Sequence, residues 1–312
     1  MAARLNLTLE DFDPEEAART HTVTQPLGPN ESTAYNYVGT TAYSNSRVFL
    51  ILRDFLQPRS SKSLDETVKS ILNLLPENAP ESDEVWCVGQ VILELADQIP
   101  YYHPSQVKLA RVMEQLCRSK KTTEANHKGM YFCFRSFHES LIMDGYNGPN
   151  PDDLAAWPNR NAFIAHFEEC HIWRTSPHWA IRAMRFAFEF DSKKEDEWFE
   201  DLQSQHVLAA AQYILWNGQN LLKQVMYFSN EEALSGAQEF KTGPLYDGRK
   251  RHGFYSLDRW RFWKWGFQAS AEDSTLNDEA RGVAKKAADL MVSLEQNMLF
   301  HGDASVLSLL YS

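Results

Sequence analysis

The chain has 312 residues, of which 43% are hydrophobic and 23% are charged, and its formal net charge is −11. A chain of this length and composition can bury a sizeable core, as one large domain or as two closely joined ones. The acidic balance, with no local block of lysine and arginine residues, argues against a nucleic-acid partner, because phosphate binding requires a basic surface.

Targeting and redox signals indicate an intracellular protein. The beginning of the chain, MAARLNLTLEDFDPEE, turns acidic and has no apolar region of the kind found in signal peptides. No apolar run reaches the length of a membrane span, so no membrane contact is expected. The cysteines are far apart and mostly set among apolar neighbours, as is typical of reduced thiols: Cys87, Cys117, Cys133 and Cys170. We therefore expect the cytoplasm, with the nucleus as the alternative.

The first part of the chain predicts a peripheral segment followed by consecutive helices. Residues 1–40 form the peripheral segment, with a short helix near 13–20 and a Pro/Gly turn after it. Residues 41–312 are predicted to form a single all-α domain. Amphipathic spacing, serine caps and proline stops predict its first helices over 45–56, 61–75, 81–100 and 103–121. Their short connections favour antiparallel pairs.

The second part of the chain is also predicted to be helical. The polar stretch 122–129 is a predicted loop, and a turn rich in Gly, Pro and Asp follows about residue 144. Residues 191–203 read as a charged helix or a linker, and 229–255 as an irregular loop. The remaining helices are predicted over 130–144, 159–174, 176–190, 256–270 and 276–300. No pair of strands is predicted.

One helix, His206 to Phe228, is predicted to be central. It carries no charged side chain from Val207 to Leu222. Its polar residues fall within less than half of a helical wheel at about 100° per residue, and the rest is apolar. A helix that is apolar over more than half of its surface has neighbours on several sides. The prediction is therefore an all-α domain of antiparallel helices around this helix.

Several aromatic, glycine-containing blocks resemble a known family. They read IPYYHPSQVKLARVMEQL, FHESLIMDGYNGP, WPNRNAFIAHF, AAAQYILWNGQNL, GPLYDG, SLDRWRFWKWGFQA and AKKAADLMVSLEQNM, and together they span roughly residues 95–298. The chain resembles a family of fungal proteins whose shared region is catalogued only as a domain of unknown function. The resemblance implies a fungal, intracellular, helical protein and supplies no catalytic residues.

The sharpest candidate site is a polar stripe on the helix after Pro177. Its members, His178, Arg182, Arg185 and Glu189, fall within about 60° of a helical wheel whose other positions are apolar. Two arginines on a narrow stripe of a mostly buried helix can bind a carboxylate or phosphate through their fork geometry. The alternative is a solvent-facing edge, with Arg185 and Glu189 as an ordinary i,i+4 ion pair.

Other constellations are weaker. Glu168-x-x-His171 and Glu124-x-x-His127 have the spacing of di-iron bundles, but two further inward glutamates are needed, so no metal and no cofactor is predicted. His138 and Glu139 point about 100° apart on a helix and favour a packed histidine over an acid/base pair. The aromatic block 260–267 is predicted to be core. Motifs of GxSxG hydrolases, dinucleotide enzymes, P-loop NTPases and class I terpene cyclases are absent.

These observations favour an intracellular binding or interaction scaffold over an enzyme. Its partner would be a protein or a small molecule, and the oligomeric state is left open. The alternative is a cofactor-independent cyclase or isomerase of fungal secondary metabolism, which would use an aromatic-lined pocket and the polar stripe. A large pocket on which these polar groups converge would favour the enzyme.

Overall fold

The all-α class is confirmed. The computed structural model describes residues 2–18, 43–76, 79, 82–125, 131–133, 148–170, 177–194, 198–227, 241–246 and 256–298. The chain divides into two compact units, the first comprising residues 1–148 and 170–174 and the second 149–169 and 175–312. The division into a peripheral segment (1–40) and one domain (41–312) stays a prediction. None of the described helices is both long enough and apolar enough to cross a bilayer.

Unit 1 contains five helices and a short hairpin within its described residues. The helices are α1 (Pro14–Ala18), α2 (Asn45–Leu56), α3 (Leu64–Leu74), α4 (Asp83–Gln98) and α5 (Ser105–Arg118). Helix α2 packs against α1, α3, α4 and α5, so it is the hub of this unit. Helix α3 begins with a complete capping box between Ser63 and Glu66, which satisfies backbone N–H groups that have no partner inside the helix.

The hairpin differs from the prediction. Strands β1 (Thr123–Ala125) and β2 (Tyr131–Cys133) pair antiparallel, with Glu124 opposite Phe132. The sequence had predicted a loop over 122–129 and a helix from 130. Consecutive aromatic residues favour an extended backbone, and pairing with β1 stabilises it there. The rest of that predicted helix, with His138 and Glu139, lies outside the described residues.

Unit 2 contains five α-helices in the parts that the structure describes, and one of them is extended by a turn of π-helix. They are α6 (Ala156–Glu169), α7 (His178–Met184) continued by the π-turn Arg185–Glu189, α8 (Leu202–Tyr227), α9 (Leu257–Glu272) and α10 (Asp278–Met298). A 3₁₀ turn spans Ser192–Lys194. Helix α6 begins three residues before the predicted position, because Asp153 accepts the backbone N–H of Ala156 and starts the first turn.

The central helix is confirmed as α8, which packs against α6, α7, α9 and α10. The polar residues of this helix differ in their exposure. Gln212 and Asn217 are buried at 0% and 4% exposure, whereas Trp216 is 38% exposed. Gln212 is satisfied locally, since its amide donates to the carbonyl of Leu208 and accepts from the indole N–H of Trp216.

The aromatic block 260–267 on α9 is core only in part. Trp260, Trp263 and Phe267 are buried as predicted, but Trp265 is 63% exposed. The helix approaches the π-turn so closely that a Cβ at Gly266 would lie 2.5 Å from the ring of Phe188. This contact fixes which side of α9 is buried, and Trp265 lies on the other side.

Candidate functional site

The predicted stripe begins on α7 and ends in the π-turn. The backbone N–H of Phe190 donates to the carbonyl of Arg185, five residues earlier, at 3.1 Å. This wider i→i+5 turn changes the angle between successive side chains, and such turns are frequent at functional sites. His178 and Arg182 keep the α-helical spacing, whereas Glu189 is turned away from the position that an ideal helix predicts. Glu189 has no exposed surface.

The carboxylate of Glu189 accepts four hydrogen bonds. Arg259 of α9 donates from Nε to Oε1 at 2.7 Å and from Nη2 to Oε2 at 3.0 Å, a bidentate pair in which both side chains are fully buried. The indole N–H of Trp263 donates to Oε1 at 2.8 Å, and the backbone N–H of Gly243 donates to Oε2 at 2.7 Å. A carboxylate has about four acceptor positions, so the hydrogen-bonding capacity of Glu189 is filled.

Residues 241–246 are held against the π-turn by this same cluster. Arg259 donates to the carbonyl of Lys241, and the N–H of Leu245 donates to the carbonyl of Glu189 at 3.0 Å. A Cβ placed at Gly243 would lie 2.5 Å from the carbonyl oxygen of Glu189. Gly243, the first glycine of the GPLYDG block, is therefore required because the two backbone segments lie too close together to leave room for a side chain.

We expect Gly243→Ala to lower the free energy of unfolding by about 2–3 kcal/mol, because the new methyl group must push the backbone off Glu189 and break that hydrogen bond. Urea unfolding of the two proteins measures the difference. Gly282→Ala on α10 is the matched control: a Cβ there meets nothing within 4 Å. Since alanine is the better helix former, the control should gain up to about 1 kcal/mol. Equal stability of Gly243→Ala and wild type would contradict the close approach.

The two arginines of the stripe lie against aromatic rings. The guanidinium of Arg182 is 5.4 Å from the centroid of Phe186, and that of Arg185 is 5.3 Å from the centroid of Phe190. The ring of His206, from α8, stacks on Phe186 at 5.3 Å. Such cation–π contacts hold planar guanidinium groups in a defined orientation. Both arginines are partly exposed.

The electrostatic environment of Arg185 is unfavourable to its own charge. Burial is the largest cause that lowers the pKa of its guanidinium, and the neighbouring cations Arg259 and Arg182 lower it further, while Glu189 acts in the opposite direction. The guanidinium remains charged at any physiological pH. A negative group bound beside it would therefore be stabilised by more than one cation.

A second polar cluster lies in the core between α6 and α8. Glu168 is 3% exposed, and its Oε2 accepts a hydrogen bond from the amide of Asn217 at 3.4 Å. The hydroxyl of Tyr213 donates to Oδ1 of Asn161 at 3.1 Å, and the amide of Asn161 donates to the carbonyl of Trp157 at 2.8 Å. Among the residues that the structure describes, Oε1 of Glu168 has no hydrogen-bond partner.

Burial keeps this cluster uncharged. Desolvation raises the pKa of Glu168 to about 8, and the hydrogen bond from Asn217 only partly opposes it. The pKa of Tyr213 is raised well above its usual value, first by burial and then by the charge of Glu168, whereas Arg182 lowers it. Glu168 therefore holds a proton at neutral pH, as a carboxylic acid in an apolar site does. Arg182 lies within electrostatic range of the cluster.

The structure places the four residues of the predicted stripe in two groups. Of the four stripe residues, His178 and the two arginines occupy successive turns of one helix, while Glu189 belongs to the buried cluster with Arg259. The polar core around Glu168 was missed, although spacing could have indicated it. Asn161 and Glu168 are seven residues apart, and Tyr213 and Asn217 four, so each pair occupies one helical face.

The two Glu-x-x-His motifs are not part of a metal-ligand cluster in the described part of the chain. No group of three His, Cys, Asp or Glu side chains able to hold a metal ion occurs there. His171 and His127, the histidines of the two Glu-x-x-His matches, lie outside the described residues. Glu168 contacts Asn217 in the core, and the ring of His166 packs on Trp216 with centroids 4.6 Å apart.

Comparison with known proteins gives a family and no function. No curated protein and no solved structure matches the chain. One family model matches residues 90–267, more than half of the chain, and this range includes the π-turn, its arginines, Gly243, Arg259 and Glu168. The chain therefore belongs to the family described as a protein of unknown function, DUF3632.

Proposed function

We propose that this chain is a binding protein whose unit 2 takes a carboxylate or phosphate group, from a small molecule or from a partner's side chain, at Arg182 and Arg185. The observation that carries the proposal is a pair of half-buried guanidinium groups held on Phe186 and Phe190, beside a third cation, Arg259. Planar forks fixed in this way bind carboxylate and phosphate oxygens in pairs at a reduced entropic cost.

Two features support binding without chemistry. Glu189, the only acid of the stripe, has its acceptor positions filled by Arg259, Trp263 and Gly243, so it has no capacity left to take a proton from a ligand. Arg185 has two further cations, Arg182 and Arg259, within electrostatic range. The stripe thus presents positive charge and hydrogen-bond donors, which is what recognition of an anion requires.

Inorganic phosphate is the probe for a first test. Wild-type protein in phosphate should unfold at a higher temperature than in chloride of equal ionic strength. Arg182→Ala should lose this difference with little change in its stability in chloride, since a lost charge-assisted hydrogen bond pair weakens binding about tenfold or more. Arg185→Lys keeps the charge but not the fork and should retain part of the effect.

Arg53→Ala is the matched control, because Arg53 is an exposed arginine on α2 whose nearest acid, Asp54, is its neighbour in the chain. It should respond to phosphate as the wild type does. The same phosphate response in Arg182→Ala and in wild type would reject Arg182 as an anion ligand.

A cofactor-independent isomerase or cyclase is the second candidate, and Glu168 is the observation in its favour. A buried carboxylic acid that keeps its proton at neutral pH is a suitable general acid. If it acts on a ligand, Glu168→Gln protein should retain unreacted substrate. Native mass spectrometry of wild type and Glu168→Gln, purified from one host, would then show different bound masses. Identical bound masses would favour binding alone.

A further inference from the structure

Residues 3–10 of unit 1, here called the leucine segment, lie on the unit as an extended chain with alternating burial. Leu5, Leu7 and Leu9 are buried, with 9%, 6% and 8% of their surface exposed, whereas the residues between them are exposed. A period of two is the signature of an extended backbone with one face buried. The structure describes no strand beside this segment, so its backbone must be satisfied in another way.

Two glutamine side chains satisfy it. Gln57, at the end of α2, accepts the N–H of Leu5 and donates to its carbonyl, both at 3.2 Å. Gln98, at the end of α4, accepts the N–H of Thr8 at 2.8 Å and donates to its carbonyl at 2.9 Å. Each amide thus pairs with both polar groups of one backbone unit, as a neighbouring strand would. Such bonds hold an extended chain whatever its side chains are.

Two further side chains bind the ends of the segment. Nδ1 of His103 accepts the backbone N–H of Ser105 at 3.2 Å, so the ring proton is on Nε2, which donates to the carbonyl of Ala3 at 3.0 Å. At the other end, a carboxylate oxygen of Glu94 accepts the N–H of Glu10 at 2.7 Å. We call the surface formed by Gln57, Glu94, Gln98 and His103 the peptide groove.

The charges at the Glu94 end do not suit this occupant. Burial raises the pKa of Glu94, and the nearby acids Glu10, Asp11 and Asp97 raise it further against the hydrogen bond from the backbone of Glu10. The negative charges of Glu10 and Glu94 repel each other, whereas a lysine or arginine in the place of Glu10 would be attracted to Glu94. The groove therefore fits an extended chain with three alternating leucines well, but it fits the acidic end of residues 3–10 badly.

We propose that the peptide groove is a binding site for an extended peptide of a partner protein, with leucine-like side chains at three alternate positions followed by a basic residue. The leucine segment occupies this site within the same chain. Backbone pairing combined with pockets for alternate side chains is an established way of recognising extended peptides. The partner cannot bind while the leucine segment fills the groove. Its apparent affinity is therefore the intrinsic affinity multiplied by the fraction of chains whose groove is empty.

The test uses the full chain and two fluorescent peptides, residues 2–12 (AARLNLTLEDF) and the same peptide with Glu10→Lys. Leu7→Asp in the full chain weakens the leucine segment without altering the peptide groove. The Leu7→Asp chain should bind the Glu10→Lys peptide several-fold more tightly than the unchanged peptide, measured by fluorescence anisotropy. Wild-type chain should bind both peptides much more weakly. Adding Gln98→Ala to the Leu7→Asp chain should weaken binding by about tenfold, since the three hydrogen bonds between Gln98 and Thr8 are lost.

The control peptide carries aspartate at all three leucine positions and should not bind. A Leu7→Asp chain with the circular dichroism spectrum and unfolding temperature of the wild type, but no affinity for either peptide, would overturn the proposal. The proposal would also be overturned if the control peptide bound the Leu7→Asp chain as tightly as the Glu10→Lys peptide does. If Leu7→Asp does not fold, Leu7→Ala serves in the same assay. A wild-type dimer that Leu7→Asp abolishes, measured by light scattering, would assign the groove to a second copy and reject a separate partner.

Discussion

Replacing Glu189 with glutamine is expected to lower the free energy of unfolding by about 3–5 kcal/mol, the cost of leaving one partner of a buried ion pair without its counter-charge. The guanidinium of Arg259 would stay in the core without its carboxylate. An amide also presents an N–H₂ group where the carboxylate presents only acceptors. That group would face a donor, either the N–H of Gly243 or the fork of Arg259. Urea unfolding of the two proteins measures the loss.

A double-mutant cycle separates the interaction energy of the Glu189–Arg259 pair from the contributions of the residues around it. With Glu189→Met and Arg259→Met as the single variants, replacing both residues with methionine should recover part of the loss, because an apolar pair has no unmatched charge to bury. The recovery should be incomplete, since the N–H groups of Trp263 and Gly243 lose their acceptor. The exposed pair Lys285–Asp289 on α10, whose side chains are 68% and 66% exposed, is the control. Lys285→Ala should change stability by less than about 0.5 kcal/mol. A loss for Glu189→Gln no larger than this control would show that the cluster contributes little to the fold.

Glu168→Gln is expected to stabilise the protein at high pH and to leave its stability unchanged at low pH. The folded pKa of Glu168 is about 8, against an ordinary value of 4.5. Between these values the folded state holds a proton that the unfolded state has released, so this group's contribution to stability falls by about 1.4 kcal/mol per unit as pH rises. Glutamine resembles the protonated acid and does not titrate. The variant should therefore match the wild type near pH 5 and be more stable near pH 8, by on the order of 3 kcal/mol.

Glu169→Gln is a close control, since Glu169 is the next residue on α6 and is exposed. Because substitutions at exposed positions usually change stability by less than about 0.5 kcal/mol, Glu169→Gln should stay close to the wild type at each of pH 5, 6.5 and 8. Urea unfolding at these three values measures both differences. If the difference between Glu168→Gln and wild type also stays constant with pH, Glu168 does not hold its proton in the folded core, and the enzymatic reading of unit 2 loses its general acid.

The two buried acids that the structure describes in unit 2, Glu189 and Glu168, are stabilised in opposite ways. Glu189 has a bidentate arginine and two further donors, which replace the water that a carboxylate loses on burial. Glu168 has the amide of Asn217 and otherwise an apolar setting, so the core favours its neutral form. Arg182 lowers the pKa of Tyr213 in the cluster of Glu168, whereas Glu189 raises the pKa of Arg185. The stripe that we propose as an anion site thus has one arginine near the neutral cluster and one near the charged cluster.

Local patterns in the sequence predicted most of the helices. Capping at Ser63 and Ser256, together with apolar residues spaced along one face, placed α3 and α9 within a few residues of their observed bounds. These signals depend on residues within one or two helical turns of each other, so they can be recognised from the sequence alone. The alternation of Leu5, Leu7 and Leu9 was an equally local signal of an extended chain, and it was not used.

The sequence by itself determined the helical class, the central helix and the position of Arg182 and Arg185 on one face, since each follows from spacing along a single element. Only the tertiary structure decided what the polar groups do. Glu189 meets Arg259 seventy residues away, and Gln98 meets Thr8 across ninety. Burial, which sets the protonation of Glu168, depends on every neighbouring element at once. Hydrogen bonds and desolvation over such separations leave no periodic trace in the chain, so they could not be read from it.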